Sequence, residues 1–459
     1  MSRYQKYPAY KDSGVEWIGD IPEHWEVKRL KFVSIVQPSN VDKKTNDGEF
    51  PVLLCNYSDV YNNFEIDSTL DFMQATATQE EIGKFHLSEG DVIVTKDSET
   101  PYDIAVPSYV KECFNNVICG YHLTQIKPKT IFGKYLFRLF QSTQFNAQFI
   151  VRANGVTRFG LPQYVINNAF IIKPLLEEQQ AIANFLDRKT AQIDELIAKK
   201  ESLLKKLHEK SIALIIQAVT KGLDLSVPMK ESGVNWIGKI PEHWEVKRGR
   251  FTMQVNPQSP IMRTLNEESE VSFIAMDAVN EYGGLCLDQT RIKSEVSGGY
   301  TEFQEGDVVV AKITPCFENG KGGLAISLVN SAAFGTTELH VLRPIECLDN
   351  RFLFFLTITD GFRKLGESTM YGAGGQKRVP PEFCKNFHLP LPSITEQRVI
   401  VKQIEKKTVM IDRQKQQITE AIERLKEYRS ALITDAVTGK MDVHSYETKE
   451  SFLPEQKRI

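Results

Sequence analysis

The segment KDSGVEWIGDIPEHWEVKRLKF at residues 11–32 returns at 230–251 as KESGVNWIGKIPEHWEVKRGRF, displaced by 219 positions. Only five of the 22 positions differ: 12/231, 16/235, 20/239, 30/249 and 31/250. Self-similarity at a fixed offset marks one structural unit used more than once. The register continues with small drifts. Glu89-Gly90-Asp91-Val92, running on to Lys96, recurs as Glu305-Gly306-Asp307-Val308, running on to Lys312. Ile126-Lys127-Pro128 answers to Leu342-Arg343-Pro344, Glu178-Gln179 to Glu396-Gln397, and Ala218-Val219-Thr220 to Ala436-Val437-Thr438. Between these anchors, in residues 33–86 and 252–302, almost nothing aligns. The chain is one frame written twice around two divergent interiors. That predicts a fold repeated about a pseudo-twofold, each copy facing its own target, because a symmetric dimer of identical copies shows the same patch on both sides.

Each copy closes on a long helical pattern, roughly 177–219 and 395–437, without proline or glycine. In the second, Ile404, Ile411, Ile418, Leu425 and Leu432 recur every seven residues, with Ile422 beside them. In the first, Leu186, Ile193, Leu207 and Leu214 hold the equivalent places, joined by Leu196, Leu203 and Leu204. Heptads sustained this long predict a coiled coil. Pro174 and Pro392 sit just upstream, Gly222 and Gly439 follow the last turns, and Ser393 with Glu396 spells a capping box that Leu175 denies to the first copy. About 43 residues at ~1.5 Å each make a rod of roughly 60–65 Å. Parallel and antiparallel pairing are both topologically open; pseudo-twofold symmetry favours antiparallel, which holds two domains apart like a ruler.

The rest of each copy reads as mixed α/β. Asp91 to Thr95 and Asp307 to Ala311 are β-branched runs opened by Glu-Gly turns, so buried strands are expected there. Tyr135 to Phe140 and Phe352 to Leu356 are short apolar stretches suited to helices. The expected organisation is an α/β (α+β) recognition domain present twice, at 1–175 and 226–392. A central spacer helix and linker occupy 176–225, a C-terminal spacer helix 393–442, and a polar tail 443–459.

Composition narrows the classes. With 459 residues the chain exceeds one ordinary core, and 41% hydrophobic with 25% charged residues is globular composition. No apolar run is long enough to span a bilayer, and the opening MSRYQKYPAYKDSG lacks the apolar core of a signal peptide, so a cytoplasmic protein without a membrane partner is expected. Seven cysteines (Cys55, Cys113, Cys119, Cys286, Cys316, Cys347, Cys384) form no CxxC pair, which argues against a disulfide framework and a structural zinc. Net charge is −3, so any DNA-binding face must be local and offset by acidic surface elsewhere.

Catalytic signals fail one by one. Gly233 to Lys239 imitates a P-loop, but Ile240 stands where magnesium needs a hydroxyl, and the other copy carries Asp20 where the lysine should be. Glu26-Val-Lys28 and Glu245-Val-Lys247 resemble nuclease triplets without a further carboxylate. His24 and His243 stand alone, without a second ligand at metal spacing. Asn256-Pro257-Gln258-Ser259 misses the Asp/Asn-Pro-Pro-aromatic sequence of amino-methyltransferases, and neither GxSxG nor HExxH occurs.

What remains is aromatic and basic. All four tryptophans, Trp17, Trp25, Trp236 and Trp244, lie in the repeated segment. A surface reading different sequences should vary, so they are expected to be structural anchors on the coiled coil, with docking of a partner subunit as the alternative. Arg152-Ala-Asn154-Gly155-Val-Thr157-Arg158 and Gly372-Ala-Gly374-Gly375-Gln376-Lys377-Arg378 hold similar places in the two copies, ahead of Pro162 and Pro380. Glycine lets a backbone approach closely, while Arg and Lys contact phosphates or guanine edges. Two solvated turns would look the same; matched placement favours DNA contact. Lys96 and Lys312, after matched strands, and Lys321 and Tyr371 complete the expected DNA-binding set.

Together these features resemble the specificity subunits of type I restriction–modification systems. GVEWIGDIPEHWEVKRLK with its second copy is similar to that family's opening segment, and PLLEEQQAI and PLPSITEQRVI to the starts of its spacer helices. The resemblance covers nearly the whole chain, leaving out the tail after Asp442. It implies a non-catalytic subunit in which two target-recognition domains read the halves of a bipartite, asymmetric site on double-stranded DNA. Paired helices set the unread gap. Two methyltransferase subunits dock on the frame, and two restriction subunits join them where the system has them. S-adenosylmethionine then belongs to the methyltransferase, ATP and magnesium to a restriction partner, and no cofactor to this chain. The rivals are a protein scaffold with no DNA role and a self-sufficient nuclease or methyltransferase.

Overall fold

The computed structural model describes residues 5–373 and 375–444; Gly374 and residues 445–459 of the polar tail lie outside the described residues. The chain divides into two compact units, the first joining residues 1–200 with 420–459 and the second the continuous stretch 201–419. Both long helices cross the division. The central helix is Leu176–Lys221 and the terminal helix Ile394–Val437.

In unit 1 a five-stranded sheet runs in the order Ser34–Pro38, Leu123–Pro128, Val92–Thr95, Pro107–Val110, Glu65–Ile66. Its pairings are antiparallel except the last. Beside it, Phe50–Cys55 pairs in parallel with Val117–Cys119 and antiparallel with Met73–Ala77. In unit 2 the order Met253–Val255, Leu339–Pro344, Val308–Ala311, Gly322–Leu324 repeats the first sheet with every pairing antiparallel. Glu270–Ile274 again pairs in parallel with one strand, Ala332–Gly335, and antiparallel with another, Thr290–Ile292. The interiors that do not align in sequence thus share these pairings, while unit 1 alone adds the parallel edge strand Glu65–Ile66 and unit 2 alone adds Thr301–Gln304, antiparallel to Ala332–Gly335. The reason is that strand order depends on where apolar β-branched runs fall, not on which polar residues stand between them.

Val92–Thr95 and Val308–Ala311 are buried along their whole length, each entered through a glycine with positive φ, Gly90 and Gly306. Gly133–Gln141 and Asn350–Thr357 are the helices that cover them. The glycines of the P-loop imitation, Gly233 (φ 74°) and Gly238 (φ 68°), lie in the connection between the hairpin strands Met229–Glu231 and Lys239–Pro241. The Glu26 and Glu245 triplets lie on strands Glu26–Arg29 and Glu245–Arg248, where each Glu pairs with the Lys two residues on.

The frame closes on the two Glu-Gln pairs. In unit 1 the Glu178 carboxylate accepts the Trp25 indole N–H (2.9 Å) and the Tyr7 hydroxyl (2.6 Å), and lies 3.0 Å from His24 Nε2. Gln179 accepts from the Phe132 N–H and donates to the Pro174 carbonyl. In unit 2 the Glu396 carboxylate takes Trp244 and His243 at 3.0 Å each, and Gln397 accepts from Asp349 and donates to the Cys347 and Pro392 carbonyls. The expected capping box is therefore only half formed. Ser393 accepts the Glu396 N–H, but the Glu396 side chain is taken by Trp244 and His243.

Trp25 and Trp244 are fully buried in the two main cores. Trp17 meets Phe145 edge-on; Trp236 stacks on Phe387 and donates to the His388 carbonyl. Gly439 (φ 74°) ends the terminal helix under this layer, where a Cβ would meet Pro22 at 2.4 Å and Trp25 at 3.0 Å.

Within each unit the two helices lie antiparallel. In unit 1, Glu178 and Gly439 both meet Trp25, while Arg429 reaches Asp194 at 2.9 Å. In unit 2, Gly222 and Glu396 both meet Trp244, and Ile215, Ala218 and Val219 share a core with Ile400, Val401 and Ile404. Ile193, Ile404, Ile411, Ile422 and Leu432 are buried as heptad residues should be. Leu196 and Leu203 are exposed, although Leu196 stands three residues after Ile193, at seam spacing.

Candidate nucleic-acid interface

The basic loops and the lysines after the matched strands converge in each unit, on one backbone ladder used twice. In unit 1 the Lys96 N–H donates to the His122 carbonyl (2.9 Å), and the Lys96 carbonyl accepts from Leu161 (2.8 Å). In unit 2 the Lys312 N–H donates to the Glu338 carbonyl and the Lys312 carbonyl accepts from Val379, both at 2.9 Å. One residue on, Asp97 pairs with Gly160 and Ile313 with Arg378. Each loop is then closed at its base, by Asn154 with Gly160 and by Tyr371 with Arg378. A glycine follows the first closing residue in both: a Cβ on Gly155 would stand 1.9 Å from the Arg158 carbonyl oxygen, and one on Gly372 2.5 Å from that of Gln376.

The side chains on this shared ladder differ. In unit 1 the Lys96 ammonium donates to the Ser39 carbonyl (2.8 Å) and lies 4.5 Å from the centre of the Tyr121 ring. Burial lowers its pKa, against the pull of Asp97. Asp97 holds His122 Nδ1 at 2.7 Å, and Arg158 reaches the same nitrogen at 3.4 Å. Tyr57 and Tyr61 stack nearly parallel with centroids 5.5 Å apart. Burial raises the Tyr57 hydroxyl pKa, against a hydrogen bond with Ser98 and the charge of Arg158. Arg152, Asn154, Thr157 and Arg158 are exposed.

In unit 2, Arg378 clamps Glu338 through Nε (2.9 Å) and Nη2 (2.8 Å). Those bonds hold the Glu338 carboxyl below its usual pKa. Tyr371, Gln376 and Lys377 are exposed, and the Lys377 carbonyl accepts from the Thr314 hydroxyl and N–H. Lys321 sits one strand over, its backbone paired to Ala311 and its ammonium on the Met276 carbonyl at 3.1 Å. Trp17, Trp25, Trp236 and Trp244 belong to the frame and to none of this surface.

Asp97, Tyr121, His122, Tyr57 and Glu338 were not legible as members. A signal existed for two of them: the offset of 216 shared by Asp91/Asp307, Lys96/Lys312 and Ile126/Leu342 also carries His122 onto Glu338. Among the described residues no group of three or more His, Cys, Asp or Glu is arranged to hold a metal, and no helix is long and apolar enough to cross a membrane.

A duplicated α/β fold that sets unlike polar side chains on one ladder is the architecture of a recognition protein. The family model described as the type I restriction modification DNA specificity domain matches residues 22–206 and 241–424, and the chain belongs to that family. The sequence is 36% identical over 203 residues to the type I restriction enzyme EcoEI specificity subunit of Escherichia coli, a match covering 43% of this chain and 34% of the relative. It is 38% identical over 167 residues to the EcoAI specificity subunit of the same organism, across 36% of this chain and 28% of the relative. The chain thus spans about a third of the length of these two. To the MjaVIII specificity subunit of Methanocaldococcus jannaschii it is 22% identical over 419 residues, 88% of this chain and 92% of the relative. The fold is similar to a chain from a study of complex assembly and conformational transition of the type I R-M system (TM-score 0.66, 16% identity, 91% of this chain and 98% of that one). It is also similar to the HsdS subunit from Thermoanaerobacter tengcongensis (TM-score 0.50, 17% identity, 92% and 98%).

Proposed function

We propose that the chain reads a bipartite, asymmetric site on double-stranded DNA and brings two methyltransferase subunits to it, with two restriction subunits where the system has them. Residues 33–170 set one half-site and 252–390 the other, within recognition domains at 1–175 and 226–392. Phosphate contacts fix register; base-edge contacts specify. Lys96, Arg152, Asn154, Thr157 and Arg158 supply the first set of contacts, and Lys312, Lys321, Tyr371, Gln376, Lys377 and Arg378 the second. S-adenosylmethionine, and ATP with magnesium, act in the partners, in the cytoplasm. The long helices, 176–225 with its linker and 393–442, set the gap.

One observation carries this reading: the same ladder bears Lys96, His122 and Gly160 in one unit, with Arg158 reaching His122 from the loop, and Lys312, Glu338 and Arg378 in the other. A shared backbone with unlike donors and acceptors suits two unlike targets. The test is to co-express the chain with the methyltransferase encoded beside it and map modified bases across the host genome. A split motif with two unlike halves and a constant gap is expected. A continuous motif sinks the two-half reading, and no modification by an assembled complex favours the scaffold. Binding that weakens steeply with salt separates DNA recognition from a scaffold role.

A further inference from the structure

If the ladder is shared and its side chains are not, the side chains whose geometry is most tightly held are the ones able to discriminate bases. In unit 2 that group is the Arg378 guanidinium. Glu338 grips it along one edge, through Nε and Nη2, while Nη1 makes only a 3.4 Å contact to the Gln376 carbonyl. A guanidinium held side-on by a carboxylate still presents its end: Nη1 and the second N–H of Nη2, two parallel donors. Two acceptors side by side are what guanine O6 and N7 offer in the major groove.

The surroundings suit such a reader. Arg378 stands at the base of an exposed loop with Tyr371, Gln376 and Lys377, and Glu338 is itself anchored by its carbonyl on the Lys312 N–H. Pre-organisation matters here, because a loose arginine loses several rotamers on docking and discriminates less for it. At the position matching Glu338, unit 1 places His122, held through Nδ1 by Asp97. That is the same device, a carboxylate orienting a ring or fork, with different recognition chemistry.

We propose that Arg378, held side-on by Glu338, is a specificity-determining residue that reads a guanine in the half-site of unit 2, with Glu338 as its positioning residue. This rests on the functional reading above. The experiment is modified-base mapping with the co-expressed complex for the wild-type chain, Arg378→Lys, Arg378→Ala and Glu338→Gln. Arg378→Lys keeps the charge and loses the fork, so it decides the matter even if Arg378→Ala fails to assemble.

The expected result is that preference for guanine at one position of one half-site falls on the order of tenfold to a hundredfold in Arg378→Lys. The other half-site and the gap stay as in the wild type. Glu338→Gln weakens the same position by less. An unchanged motif in an assembled Arg378→Lys complex overturns the proposal while leaving the split-site reading standing. So does a uniform loss over all sequences, which identifies a phosphate contact. A wild-type complex without a split motif takes both readings down together.

Discussion

Replacing Glu178 or Glu396 by alanine cuts the same motif in the two units, and the structure says the costs differ. Glu178 is buried and holds two buried donors, the Trp25 indole and the Tyr7 hydroxyl. Its third neighbour, His24, is about half exposed and turns to water. A buried donor left without an acceptor costs about 1–3 kcal/mol. Glu178→Ala strands two and should cost roughly 4 kcal/mol. Glu396 holds one buried donor, the Trp244 indole, and an exposed His243. The position matching Tyr7 by the repeat offset is Ser226, which brings no phenol. Glu396→Ala should therefore cost roughly 2 kcal/mol. Hydrogen exchange on the full chain in increasing urea reads each unit separately, since Glu178 and Glu396 lie in different units. Adding Tyr7→Phe to Glu178→Ala removes one stranded donor and should restore part of the loss, a double-mutant cycle that isolates the pair. Equal losses, a larger loss for Glu396→Ala, or no recovery with Tyr7→Phe would refute the counting of stranded donors.

Three further outcomes are expected. His340 donates through Nε2 to the Val379 carbonyl, takes Asn256 at Nδ1, and has its pKa lowered by burial below the usual 6.5. The unfolded chain then binds this proton more readily than the folded one, so unit 2 loses stability as pH falls through 6.5. His340→Gln should flatten that slope in urea titrations between neutral and mildly acid pH. Arg158→Ala should weaken DNA binding by the assembled complex and reduce the slope of log affinity against log salt by about one, if it meets a phosphate. An unchanged slope and affinity would remove it from the interface. Inserting one heptad into each long helix adds about 10 Å without turning the seam. Base-modification mapping should then show a gap longer by roughly three base pairs at ~3.4 Å each, with both half-sites unchanged.

The sequence alone determined the duplication, the two long helices and the strands after Gly90 and Gly306. Each is written in local terms: an offset, a heptad, an apolar β-branched run behind a turn. It also marked the basic loops, since the glycines Gly155 and Gly372 and the arginines near them survive as text, although the structure puts Gly160 and not Arg158 at the place of Arg378. Tertiary structure alone decided what those residues do. The Glu-Gln pairs read as helix starts, yet Glu178 and Glu396 are acceptors for tryptophans more than 150 positions away in the chain, so the capping role went to Ser393 unaided. Leu196 and Leu203 stand at seam spacing from Ile193 and yet are exposed, because burial depends on what packs against that stretch of helix and not on spacing alone. His122 and Glu338 carry no motif of their own. They become partners of Asp97 and Arg378 only when strands distant in sequence pair, and hydrogen bonding across a sheet is set by register in space rather than by proximity along the chain.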